Sequence, residues 1–223
     1  MIERYKWYAI TLPINLDQLY TKMSESYYSD GMDSGFQQID RQASEFSFLW
    51  QSSIAVPFID ENGELNSQVV RTINRQDVAI LRGHRTILRL KEPLRSTRPL
   101  FNALEKIMGY GFTCELISLT PRHIDRILDS VDSHRLTNSK ISGSMPELKL
   151  LTRMEFMSKE GISLDYLEVL KGIKYTVDSA SYEIFQGSHK GKISISVTGL
   201  CKASGSLSER LIRQLEQILI TEQ

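Results

Sequence analysis

The chain of 223 residues is 41% hydrophobic and 24% charged, with 13 Gly and 6 Pro. That balance excludes disorder, collagen-like repeats and coiled coil as readings of the whole chain. Lys+Arg 27 against Asp+Glu 27 leaves no net charge, so any attraction to nucleic acid or to an anionic surface has to be local.

Tyr5 to Leu12 is rich in aromatic and β-branched residues and stops at Pro13, which predicts a strand. Asn15 is placed to cap a helix carrying Leu16, Leu19, Tyr20 and Met23 on one face. Ser24 to Glu45 turns polar, with Asp30-Gly31 and Ser34-Gly35, and reads as a mobile surface loop broken by at most a short helix. Phe46 to Ile59 is a long predicted strand. Asn62-Gly63 supplies the turn, Leu65 to Thr72 returns, and Val78 to Arg82 continues the sheet. After Gly83, Thr86 to Lys91 alternates apolar and polar, which predicts a strand with one wet face. Ser96 or Thr97 opens a helix with Pro99 in its first turn and a stripe of Leu100, Leu104, Ile107 and Met108, and Gly109 ends it.

Phe112 to Leu119 is the next predicted strand, and Thr120-Pro121 begins a helix over Arg122 to Val131 that buries Ile124, Ile127 and Leu128. Ser133 to Pro146, polar and rich in Ser, Asn and Gly, reads as a linker. A cut near Ser142 gives an N-terminal α+β domain over 1–140 and a C-terminal one over 141–223. In the second part we expect a strand from Glu147 to Met157, a short helix opening at Ser163, and a hairpin of Lys174–Phe185 with Lys192–Val197 across a Gly187–Gly191 turn. A last helix should run from Ser206 or Ser208 to Ile220, with Leu207, Leu211, Ile212, Leu215, Ile218 and Leu219 on one side. The expected fold class is α+β, with mixed, largely antiparallel sheets and helices packed on one face. Strand Thr86–Lys91 before helix Thr97–Met108 and strand Lys192–Val197 before helix Ser208–Ile220 share an order, which raises the idea of two similar sheet-and-helix units. Strands arriving in hairpins argue against Rossmann and TIM architectures.

Cys114 and Cys201 form no CxxC and no disulfide framework, so a reducing compartment is expected. Met1-Ile2-Glu3-Arg4 is charged at once and lacks a secretory signal, so the expected location is cytoplasmic. Apolar runs such as Ile54 to Ile59 are far below the roughly 18–20 residues that span a bilayer, so no membrane partner is expected. No phosphate loop, GxGxxG or GxSxG occurs. His84, His123, His134 and His189 are isolated from one another and from the cysteines, so no metal or cofactor is expected. His123 and Asp125 stand two apart on a helix and point to different faces. Asp60, Glu61 and Glu64 read as a hairpin tip rather than a nuclease centre. Glu147, Lys149, Arg153 and Glu155 read as cross-strand charge pairs on an exposed face.

The charge is uneven along the chain: 4 basic against 8 acidic residues in 1–60, 13 against 9 in 61–140, and 10 against 10 in 141–223. Arg71, Arg75, Arg82, Arg85, Arg89, Lys91, Arg95 and Arg98 crowd residues 71–98, opposed there only by Asp77 and Glu92. Guanidinium groups fork onto phosphate and stack on bases. On a strand over 86–91, Arg89 and Lys91 share a face with Arg85 and Ile87, opposite Leu88 and Leu90. Arg95 and Arg98 extend that row toward a helix N-terminus. These eight residues are the candidate site for DNA or RNA. The competing reading pairs them with the protein's own carboxylates or with an acidic protein surface. Tyr27-Tyr28, beside a Gly-containing loop, is the candidate contact for a protein partner or a second copy. The expected function is therefore a non-enzymatic binding or accessory protein that engages a polyanion. An enzyme or enzyme subunit whose site assembles only in three dimensions is the first alternative, and a protein-interaction scaffold marked by a large apolar patch is the second.

Overall fold

The computed structural model describes residues 1–145 and 150–221. Among them, eleven strands and four α-helices follow one another as β1 (Ile2–Thr11), α1 (Leu16–Glu25), β2 (Ser34–Asp40), β3 (Glu45–Ile59), β4 (Leu65–Arg82), β5 (Thr86–Lys91), α2 (Arg98–Met108), β6 (Thr113–Leu116), α3 (Pro121–Leu128), β7 (Ser133–Met145), β8 (Leu150–Met157), β9 (Lys174–Gln186), β10 (His189–Ser196), β11 (Cys201–Gly205) and α4 (Ser208–Thr221). Short 3-10 turns at Leu164–Tyr166 and Glu168–Leu170 stand where a helix was expected from Ser163. The strands hydrogen-bond in the order β2-β3-β4-β5-β1-β11-β10-β9-β7-β8, with β6 on β1. The protein is a mixed α+β molecule dominated by antiparallel sheet.

Three expectations change, and one falls outside the described residues. The polar stretch after α1 contains β2, which pairs with β3 from Ser34↔Trp50 to Asp40↔Glu45. Its large apolar residues are Phe36 and Ile39, three positions apart, which is not the period-two alternation that marks a strand. The expected linker over 133–146 is strand β7 as far as Met145, paired with β9 on one side and β8 on the other. Its serines and Gly143 are the sheet itself, and a Cβ on Gly143 would meet Ile173 Cγ2 at 2.7 Å. The start of the strand expected from Glu147, with Glu147 and Lys149, lies outside the described residues. Strand β11 intervenes between β10 and α4, so the shared order that suggested a duplicated unit is absent.

The chain gathers into two compact units that interleave in sequence, and neither begins near Ser142. One comprises Met1–Ala9, Leu81–Arg89 and Glu115–Gln223; the other comprises Ile10–Ile80 and Leu90–Cys114.

In the first unit, β10 alternates strictly: Gly191, Ile193 and Ile195 are buried, while Lys192, Ser194 and Ser196 are not. The buried set joins one apolar cluster with Tyr5, Trp7, Ala180, Tyr182 and Ile184, the α3 residues Ile124, Ile127 and Leu128, and the α4 residues Leu211, Ile212, Leu215 and Leu219. Helix α3 has a capping box: the Thr120 amide N–H donates to His123 Nδ1 at 3.0 Å. A helix N-terminus is thus the role of the His123-Ile124-Asp125 stretch.

In the second unit, Asn15 and Gln18 close a capping box on α1, with the Gln18 amide donating to Asn15 Oδ1 at 2.9 Å. Alternation along β3 buries Phe46, Phe48 and Trp50. Phe36 meets Phe46 and Phe48 at ring-centre distances of 5.7 and 5.1 Å. Buried Gln76 is satisfied by giving its Nε2 hydrogens to the Lys91 and Asp77 carbonyls and accepting from the Leu94 amide. Beyond this core β3 and β4 run on as a hairpin arm. Residues 53–59 and 61–73 are all exposed.

Candidate nucleic-acid interface

The alternation that buries one side of the first unit's sheet puts a particular set of side chains on the other. Across β1, β11, β10, β9 and β7 the register aligns Arg4, Lys202, Ser194, Ser181 and Asn138 in one row. The adjacent row aligns Ile2, Ser204, Lys192, Glu183 and Arg135, and on the other side Ser196, Ser179 and Lys140 follow. Directly opposite side chains lie about 4.5–5.5 Å apart at Cβ, so Lys202 stands against Arg4 and, on the diagonal, near Lys192. Like charges so placed repel each other, and no carboxylate stands in the Arg4–Asn138 row.

The flank toward β7 and β8 is neutralised. Arg135 and Lys190 both reach Glu183, at 2.5 and 3.3 Å, and Lys140 reaches Glu155 at 3.2 Å. Hydrogen bonding from Arg135, assisted by Lys190, holds the Glu183 carboxyl below its ordinary value of 4.5. The Phe185 ring on this face is covered by Arg135 and Lys190, at 5.5 and 5.4 Å from its centre. Lys192 and Lys202, by contrast, have no hydrogen-bond or ion-pair partner among the described residues. They border a depression of about 530 Å³ whose floor includes Ser179, Ser181, Ser194 and Asn138. The site is a shallow, hydroxyl-lined surface with Lys192 and Lys202 along one side.

The eight residues singled out in sequence are divided between the two units. Arg71, Arg75, Lys91, Arg95 and Arg98 belong to one unit, and Arg82, Arg85 and Arg89 to the other. Strand β5 has no wet face: Ile87, Leu88 and Leu90 are all fully buried. The face expected to carry guanidinium groups into solvent is closed by α4. Arg85 Nε donates to the Leu219 carbonyl at 2.6 Å, the His84 amide donates to the Ile220 carbonyl at 2.9 Å, and Arg89 pairs with Glu216 at 3.3 Å. Arg75 pairs with Asp77 at 2.8 Å in the other unit. Arg71, Arg82, Arg95 and Arg98 are exposed with no partner among the described residues, and Lys91 is exposed.

The tyrosine pair divides as well. Tyr27 is 53% exposed, whereas Tyr28 is buried. The Tyr28 amide donates to the Phe36 carbonyl at 2.9 Å, and Gly35 lies against its backbone. The segment is thus pinned to β2 instead of forming a flexible aromatic loop.

Among the described residues no group of three His, Cys, Asp or Glu side chains could hold a metal ion. No helix among them is long and apolar enough to cross a membrane. Burial pushes the Cys114 thiol up to about 12, and burial together with Glu216 raises Cys201 further, so neither is activated as a nucleophile. Sequence reasoning missed Arg4, Lys192 and Lys202. The signal was present in the alternation Lys192-Ile193-Ser194-Ile195-Ser196 and Cys201-Lys202-Ala203-Ser204, where every second residue is apolar. The chain matches no family model and no curated protein.

Proposed function

We propose that the protein is a non-enzymatic accessory protein that binds a nucleic-acid strand along the open sheet face of its first unit, with Lys192 and Lys202 as the principal phosphate contacts. The reading takes α3 and α4 to pack on one face of that sheet, leaving the Ser- and Lys-bearing face free. The observation that carries it is the placement of Lys192 and Lys202 diagonally on neighbouring strands of that face, both without a hydrogen-bond or ion-pair partner among the described residues, where a polyanion would offset their charge. Phosphate contacts release condensed counterions, so affinity falls steeply with salt. Serine and asparagine side chains supply hydrogen bonds to phosphate and sugar that position a strand without reading its sequence. With the Phe185 ring occupied by two cations, base stacking contributes little, and weak sequence preference follows.

The test is fluorescence anisotropy of a labelled single-stranded oligonucleotide across a salt series. Binding at low ionic strength should weaken at least about tenfold in Lys192→Glu/Lys202→Glu. For single strands the log–log salt slope should flatten by about 1.4, the loss of two contacts. Arg95→Glu/Arg98→Glu should leave both quantities unchanged. No binding at low salt, or loss on the second pair of substitutions and not the first, would overturn the proposal.

A further inference from the structure

The hairpin arm carries its own message. Strands β3 and β4 pair without interruption from Glu45↔Ala79 to Ile59↔Leu65. Directly opposed residues share a face, so one side of the exposed ribbon presents Ile54, Val56, Phe58 and Val70. The other presents Ile59, Leu65, Val69 and Ile73, at 71%, 77%, 62% and 60% exposure, with Ala55, Pro57 and Arg71 among them. Two-stranded ribbons standing alone are marginal in water, and an apolar patch of this extent marks an association surface.

The charges along the ribbon say which partner fits. Residues 46–70 contain Asp60, Glu61 and Glu64 and no Lys, Arg or His. Asp60 is engaged within the turn, where its carboxylate accepts from the Asn62 and Glu64 amides and from the Asn66 side chain. The Glu61 and Glu64 carboxylates have no partner among the described residues. Arg71, likewise without one, lies at the other end of the apolar face between Val69 and Ile73. From Leu65 to Ile73 the ribbon spans about 26 Å at 3.3 Å per residue.

We propose that the arm is a dimerisation element and that its partner is the same arm of a second copy of this chain. The two ribbons lie antiparallel, with their Val69 faces together. That arrangement is isologous: the Ile59/Leu65 end of each arm covers Ile73 of the other, and Glu61 at the tip of each approaches Arg71 of the other. A parallel arrangement would bring the acidic tips together. The acidic tip also disfavours an anionic lipid surface as the occupant.

The experiment is analytical ultracentrifugation of the full chain over a micromolar concentration series without nucleic acid, so it stands or falls apart from the sheet-face reading. The unaltered protein should show a monomer–dimer equilibrium. Val69→Glu/Ile73→Glu should raise the dissociation constant at least about a hundredfold, roughly 2.8 kcal/mol at tenfold per 1.4 kcal/mol. Arg71→Glu should weaken the dimer, and adding Glu61→Arg to the same chain should restore it. Circular dichroism on each variant checks the fold, which exposed substitutions should preserve. A monomer at all concentrations, a dimer indifferent to Val69→Glu/Ile73→Glu, a failed charge exchange, or capture of the arm by anionic vesicles in place of self-association would each overturn the proposal.

Discussion

Glu216 accepts from the Trp7 indole N–H at 3.1 Å and from Arg89 at 3.3 Å while remaining 8% exposed. Strand β1, strand β5 and helix α4 thus meet at a single carboxylate, and Trp7 and Glu216 are 209 positions apart. Burying a charge is favourable only when it is paired and hydrogen-bonded, and removing one partner leaves the other stranded. Glu216→Leu should therefore destabilise the protein by about 2–4 kcal/mol, since the indole N–H loses its acceptor and Arg89 loses this carboxylate. Glu216→Gln, which keeps an acceptor for Trp7, should cost about half as much. Urea unfolding followed by tryptophan fluorescence measures both; a change within about 0.5 kcal/mol for Glu216→Leu would contradict the role assigned to it. The same contact explains why Arg89 is not available to an external anion.

At the scale of elements, the approach of the α4 start to β10 depends on the absence of a side chain at Gly191. A Cβ there would lie 2.8 Å from Leu207 Cβ and 3.0 Å from Leu211 Cδ1. Gly191→Ala should lower stability by about 1–3 kcal/mol through overpacking, seen as a reduced denaturation midpoint. Gly187, in the β9–β10 turn, is the contrasting case: its φ is +56° and nothing lies within 4 Å of the added atom. Asn tolerates left-handed backbone, so Gly187→Asn should be milder than Gly191→Ala. If the two ranked the other way, turn conformation rather than helix contact would limit this part of the sheet. The β3–β4 arm shows the opposite use of a strand face. The side that buries Phe46, Phe48 and Trp50 continues into exposed Ile54, Val56 and Phe58. Residue types stay the same along that face, and only the presence of a covering element changes.

For the molecule as a whole, two carboxylates predict how stability responds to acid. Burial pulls Asp77 upward, but the hydrogen bonds from Ser47 and Arg75 outweigh it and hold the group below 3.8. Hydrogen bonding from Arg135 holds Glu183 below 4.5. A carboxyl whose pKa is lower folded than unfolded contributes stability in full above its unfolded value and loses it as pH falls through the folded one. Unfolding midpoints should accordingly hold steady near neutrality and fall below about pH 4.5, and replacing Asp77 by Asn should shrink the fall. Urea midpoints over a pH series test this; an unchanged acid limb in Asp77→Asn would remove Asp77 from the explanation. Much of the architecture was legible in residue order. Asn15, Asn62-Gly63, Thr97 with Pro99 and Gly109, and the α4 stripe all mark local backbone states, and those depend on neighbours a few positions away. Strand β2 escaped because Phe36 and Ile39, three positions apart, give no period-two alternation, and β7 escaped because serine suits an open sheet face as well as a loop. The arginine cluster was visible, but its environment was not. Sequence alone determined an α+β chain with sheet-forming alternation and charge concentrated in the middle. Only the tertiary structure decided that Arg85 and Arg89 turn toward α4 while Lys192 and Lys202 face outward, since burial and pairing depend on segments more than a hundred residues away that local periodicity does not encode.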